Sequence, residues 1–245
     1  VSRIKKTQGY VIRTLDYGDT SRIVTVLSDT AGKISFIAKG ARRPESRLGP
    51  ALDLLNLSEF VYYNNDGLKI LSQVSLIDPL MQLKSDYDRL DMSLRTARWL
   101  HRLLEDDHVE HSIFKLFEAY LNVLGQSEAA FEMFDLSLKV KTLTAMGLAP
   151  KLDCCMICGR DPAQSWFSMS KGGVVCESCH VVSDADERPI QMGTAKGLQM
   201  LLKFPFEKLG RLSISPEAIR FGTRIMDEYI SYHLKPHVGE QKRST

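Results

Sequence analysis

Two cysteine pairs, Cys155/Cys158 and Cys176/Cys179, each spaced C-x-x-C and separated by seventeen residues, carry the most specific chemistry in this chain. Each pair puts two thiols on one tight turn. Two such turns facing each other supply the tetrahedral four-sulfur shell of a structural Zn2+ site, with Zn–S bonds of about 2.3 Å. A shell filled by four protein ligands leaves no position for a water nucleophile, so the metal is expected to hold a fold rather than run a reaction. Cys154 with Cys158 would make a C-x3-C pair, and His180 could replace a sulfur. We take Cys155, because its turn is followed by Gly159 and suits a knuckle, which leaves Cys154 as a spare buried thiol. A redox dithiol needs only one such pair, and a disulfide needs an oxidising compartment that nothing in the sequence suggests.

Other candidate chemistry is weaker. The run Glu105–His111 sets two histidines among carboxylates, but a solvated face explains it without a metal. Asp16 and Asp19 flank a turn, a position aspartate favours for its own local hydrogen bonding. Phosphate-loop, dinucleotide-loop, nucleophile-elbow and H-E-x-x-H motifs are absent, and the chain is expected not to be an enzyme.

Charge is uneven. The net formal charge is only +2, yet the first fifty residues hold ten Lys/Arg against four acids, while 84–135 holds six against eleven. A basic module beside an acidic one suggests that the first meets a polyanion and the second does not. Candidate phosphate contacts are Lys33, Lys39, Arg42, Arg43 and Arg47, with Arg13 and Arg22 behind them. Tyr10, Tyr17, Phe36, Tyr62 and Tyr63 could stack on bases, although about half should be core.

The elements that must position these groups follow from periodicity. Short alternating runs predict strands near Gly9–Leu15, Arg22–Leu27, Lys33–Lys39, Leu55–Tyr63 and Leu68–Ile77, with turns at Tyr17–Asp19, Asp29–Gly32 and Asn64–Gly67. Five strands in this length fit a closed OB-fold barrel whose second and third strands form the contact face. In the third, Ile34, Phe36 and Ala38 point inward; Lys33, Ser35, Ile37 and Lys39 point outward. The stretch Gly40–Pro50 reads as an exposed, mobile loop.

Beyond Asp78 the period lengthens to about 3.6, giving apolar stripes through Leu90–Leu104, Ile113–Leu124 and Phe131–Leu143. After the cysteines come an acidic loop with Asp184, Asp186 and Glu187, then helices near Thr194–Phe204 and Pro216–Leu234, the latter N-capped by Ser215. The expected class is α+β multidomain, with a barrel at 1–79, a helical domain at 80–150 and 186–236, a zinc-binding insertion at 151–185 and a disordered basic tail at 237–245. Composition, 44% hydrophobic and 25% charged, is that of a soluble globular chain, and no signal peptide or membrane span is evident. A cytoplasmic location is expected.

The chain resembles the RecO family of bacterial DNA-repair proteins. The likeness rests on Gly9–Ile12 leading to Tyr17–Asp19, on Arg22–Leu27, on Gly32–Arg43, on Gly147–Pro150 ahead of the first cysteines, and on the four cysteines with Gly172 and Gly173 before the second pair. This resemblance implies binding of single- and double-stranded DNA and strand annealing without nucleotide hydrolysis. It also implies pairing with RecR, docking on the acidic tail of single-strand-binding protein (SSB), help in loading RecA, and association with the nucleoid during repair. Two rivals remain, a protein-interaction scaffold and a zinc-dependent enzyme with an incomplete shell.

Overall fold

A computed structural model of the protein describes residues 4–64, 68–127, 131–161, 165–181 and 185–234. The expected turn at 64–67 lies mostly outside these residues, as do Asp184 and the tail at 237–245. Contacts gather the chain into two compact units, one over residues up to Leu121 and one over Asn122–Pro236.

In the first unit, β1 (Ile4–Tyr17), β2 (Ser21–Ser28), β3 (Gly32–Ala38), β4 (Leu57–Tyr63) and β5 (Lys69–Asp78) close into a barrel of order β1-β2-β3-β5-β4. One strand serves two neighbours: β1 pairs with β4 through Ile4–Tyr10 and with β2 through Gly9–Tyr17. The overlap falls at Gly9, where a Cβ would lie 2.3 Å from Val26 Cγ1 and 2.6 Å from the Leu27 carbonyl oxygen, so only glycine fits. A register shift between Val11 and Arg13 accompanies the turn from one partner to the other. Closure is completed by a short parallel pairing of Phe36 and Ile37 with Lys69 and Ile70. Inward positions of the strands make the core, in which Phe36 stacks on Phe60 at 5.4 Å and meets Tyr62 at 4.9 Å.

Helices α1 (Met81–Lys84), α2 (Tyr87–Leu103) and α3 (His111–Gln126) follow. Asp86 caps α2 by accepting from the Arg89 N–H at 2.9 Å. Helix α2 packs on β1, and Tyr10, on the outer face of β1, meets Phe114 and Phe117 of α3 at 5.7 and 5.6 Å. Burial pushes the Tyr10 hydroxyl pKa up, as expected for a ring inserted between strand and helix.

In the second unit α4 (Phe131–Ala145), α5 (Met192–Lys203), α6 (Phe206–Leu209) and α7 (Pro216–His233) pack together. A Cβ on Gly222 would press Leu136 and Leu198 at 3.1–3.2 Å, which fixes how closely α7 approaches α4 and α5. Ser215 caps α7 as expected, accepting from the Ala218 N–H at 3.2 Å. The segment between α4 and α5 forms a three-stranded sheet, β7 (Gly173–Cys176), β6 (Ser165–Ser168) and β8 (Glu187–Ile190) in that order. These strands are not evident in the periodicity. Each has four residues, too few for alternation to register.

Among the described residues no helix is long and apolar enough to cross a membrane.

Candidate nucleic-acid interface and metal centre

The four cysteine sulfurs Cys155, Cys158, Cys176 and Cys179 all lie within 4.8 Å of one another. Among the described residues this is the one group of three or more ligating side chains brought together. Cys158 Sγ and Cys176 Sγ are 3.7 Å apart, close to the roughly 3.8 Å that tetrahedral geometry gives for ~2.3 Å metal–sulfur bonds. The residues therefore fit a four-sulfur metal site. Gly159, at φ +72°, turns the first knuckle, and the Gly159 N–H donates to the Cys155 carbonyl at 2.9 Å. In the second, the N–H groups of Cys179 and His180 both donate to the Cys176 carbonyl.

Burial works against a Cys155 thiolate, yet backbone donation from Cys158, Cys176 and Ile157 outweighs it and lowers the thiol pKa to about 6. Two of these donors, the N–H groups of Ile157 and Cys176, stand 3.4 Å from its sulfur. Burial and the neighbouring sulfurs push Cys179 up to about 12. Four thiolates this close repel one another, and a divalent cation is what allows all four to ionise together.

The two alternative ligands are accounted for. Cys154 stands outside the cluster and is half-buried. His180 lies flat on Trp166, 4.1 Å between centroids, and its Nδ1 pairs with Glu187 Oε2 at 2.5 Å. Glu187, expected in an acidic loop, instead opens β8 with its carboxylate fully buried between His180 and Lys171.

The outer barrel face divides into a covered half and an open half. Tyr10, Leu27 and Lys33 stand side by side across β1, β2 and β3, and all three are buried. Lys33 is thus corrected as a phosphate contact. Its side chain is 6% exposed, and its Nζ donates to the His101 carbonyl at 2.9 Å and pairs with Asp106 at 3.1 Å. The Asp107 N–H donates to the Lys33 carbonyl, so the segment after α2 lies along the start of β3. Gly32 permits that approach, since a Cβ there would sit 1.9 Å from the His108 carbonyl oxygen. Strand alternation placed Lys33 on the outer face; it carries no information about what covers that face.

Toward the other end of the same face Leu15, Ile23 and Ile37 lie side by side, exposed or half-buried, with Tyr17 and Lys39 exposed beyond them. Arg13, Arg42, Arg43 and Arg47 are exposed, and Arg22 is half-buried. Asp16 holds two of them, Arg22 at 3.5 Å and Arg42 at 3.4 Å. Arg42 also donates from Nη1 to the carbonyls of Gly18 and Asp19, and from its backbone N–H to the Thr20 carbonyl. The Gly40–Pro50 loop is therefore pinned to the β1–β2 turn through Arg42, and Ala41 and Leu48 anchor it on the core. Arg43 and Arg47 remain facing solvent. The role of Asp16 is a contact the sequence could have disclosed, since Asp16 and Arg22 pair directly across the hairpin.

Of the aromatic candidates, Phe36, Tyr10 and Tyr62 are buried, while Tyr17 and Tyr63 are exposed. His108 pairs with Glu110, and His111 with the Asp29 carbonyl, so neither joins a metal group. A cleft of about 550 Å³ beside Tyr62 is lined by Lys5, Lys6 and Lys69, but Lys6 pairs with Glu59 and Lys69 with Asp107.

The architecture defines a protein with an OB-like barrel followed by a helical unit that carries a four-cysteine centre. Two family models divide the chain between them: Recombination protein O N terminal matches residues 3–80, and Recombination protein O C terminal matches residues 84–242. The chain belongs to the Recombination protein O (RecO) family. It is 30% identical over 234 residues to the DNA repair protein RecO of Halalkalibacterium halodurans, covering 94% of this chain and 91% of that one. It is 28% identical over 230 residues to the protein of the same name from Alkaliphilus metalliredigens, covering 94% and 93%.

Proposed function

We propose that the protein is a DNA-binding recombination mediator that works without catalysis. It holds single- and double-stranded DNA on the open half of the outer barrel face, through Lys39, Arg42, Arg43 and Arg47, with Arg13 and Arg22 beside them. Annealing two polyanions needs screening of their repulsion and no bond chemistry, which suits a cationic surface without a catalytic constellation. RecR, the acidic tail of SSB and, through them, RecA are the partners of this role, performed in the cytoplasm at the nucleoid.

The observation that carries the reading is the exposure of Arg13, Lys39, Arg42, Arg43 and Arg47 around an apolar strip of Leu15, Ile23 and Ile37, with Tyr17 available for stacking. The relatives named as DNA repair proteins support the same direction. The metal is Zn2+, held by Cys155, Cys158, Cys176 and Cys179, with every coordination position filled and a structural role.

Fluorescence polarisation of the zinc-loaded protein on a labelled oligonucleotide, titrated with salt, tests the reading. Log affinity should fall with log salt at about 0.7 per neutralised phosphate on a single strand. Absent binding at low salt would leave the barrel to a protein partner.

A further inference from the structure

The segment 84–135 is acidic in sum, yet its charges are sorted in space. Helix α2 buries Ser93, Thr96, Ala97 and Leu100. At 100° per residue the opposite face carries Arg95, Arg98 and Arg102 along its later turns, while Asp88 and Asp91 occupy its start. Of the carboxylates nearby, Asp91 pairs with Arg95 on this face, Asp106 with Lys33 and Asp107 with Lys69. Arg98 and Arg102 are exposed and make no ion pair or hydrogen bond among the described residues.

The last turns of α2, which carry these two arginines, touch the barrel through His101. His101 lies between them in sequence, and its Nε2 stands 3.1 Å from Arg13 Nη1. Burial, then the charges of Lys33 and Arg13, lower the His101 pKa, so the neutral ring accepts from the Arg13 guanidinium and keeps that cation beside the helix.

We infer that the nucleic-acid surface continues from β1–β3 across Arg13 onto the exposed face of α2, with Arg98 and Arg102 as further phosphate contacts. This rests on the proposed DNA-binding role and extends its footprint beyond the barrel. A covered strand face next to an open cationic one has a physical logic. The helix that removes Lys33 from the surface supplies two arginines in its place, and an arginine fork suits phosphate oxygens better than a lone ammonium.

The test is polarisation binding of the full-length, zinc-loaded protein to a labelled oligothymidylate across salt, for wild type, R98E/R102E, and a charge-matched control, R211E/R220E, on the exposed surface of the second unit. Wild type should bind. The α2 variant should bind roughly tenfold more weakly and lose about one unit of salt slope per arginine, while the control stays near wild type. Wild-type binding with an unaltered α2 variant, or with a control that loses as much, overturns the α2 surface and leaves the barrel role standing. A wild type that does not bind overturns both. Melting curves matching wild type guard against misfolding, and the milder R98Q/R102Q should lose about half as much.

Discussion

The cysteine centre and the cationic barrel face handle charge in opposite ways. At the cysteine centre, four groups of one potential charge converge within 4.8 Å and can ionise together only around a cation, so the site is cooperative: remove one sulfur and the others lose their reason to be there. On the barrel, cations are spread over strand and loop, Arg22 and Arg42 sharing Asp16 while Lys39, Arg43 and Arg47 are exposed, so each contributes an increment. One region should fail all at once and the other by degrees.

The largest expected effect is therefore at the sulfurs. Cys176→Ser or a strong chelator should release the metal and, with it, binding free energy on the order of 10 kcal/mol that the local fold depends on. Metal stoichiometry should fall from one to none, and the melting temperature should drop sharply. A metal-free protein melting like wild type would break the comparison. Next comes the triple reversal K39E/R42E/R43E, which should weaken oligonucleotide binding and flatten its salt dependence, with single reversals losing proportionate shares.

Lys33→Met sharpens the contrast from the other side. It strands the His101 carbonyl and removes the partner of Asp106, at a cost of about 1–3 kcal/mol in urea melts, with no change in salt slope once folded. The smallest effect concerns pH. Because the folded pKa of His101 lies below its ordinary value of 6.5, the neutral ring stabilises the fold above that pH, and the contribution is lost as pH falls below it. His101→Gln should remove this part of the acid sensitivity, read from melting temperatures between pH 7 and lower values.

What the sequence disclosed and what it did not follow from range. Strand β2 and helix α7 were legible to within a residue or two, because alternation, a Ser215 cap and Pro216 at the first helical position are local signals. The four sulfurs were legible because two tight turns leave little else for such spacing to do. Lys33 and Glu187 were not, since both are polar residues buried by contacts that periodicity does not register: Lys33 by His101 and Asp106 far along the chain, Glu187 by His180 and Lys171 around a sheet of four-residue strands. Summed charge is likewise silent about placement: adding the acids of 84–135 hides the arginines on the exposed face of α2, which becomes visible only once the helix packs against β1.

The most direct measurement is the salt dependence of oligonucleotide binding by wild type, K39E/R42E/R43E and Lys33→Met, compared in one titration series on folded, zinc-loaded protein. A steep wild-type slope, flattened by the triple reversal and preserved in Lys33→Met, is the predicted result. A reversal that binds like wild type, or a Lys33→Met slope that flattens as much as the reversal's, would contradict the assignment of DNA to the open half of the barrel face.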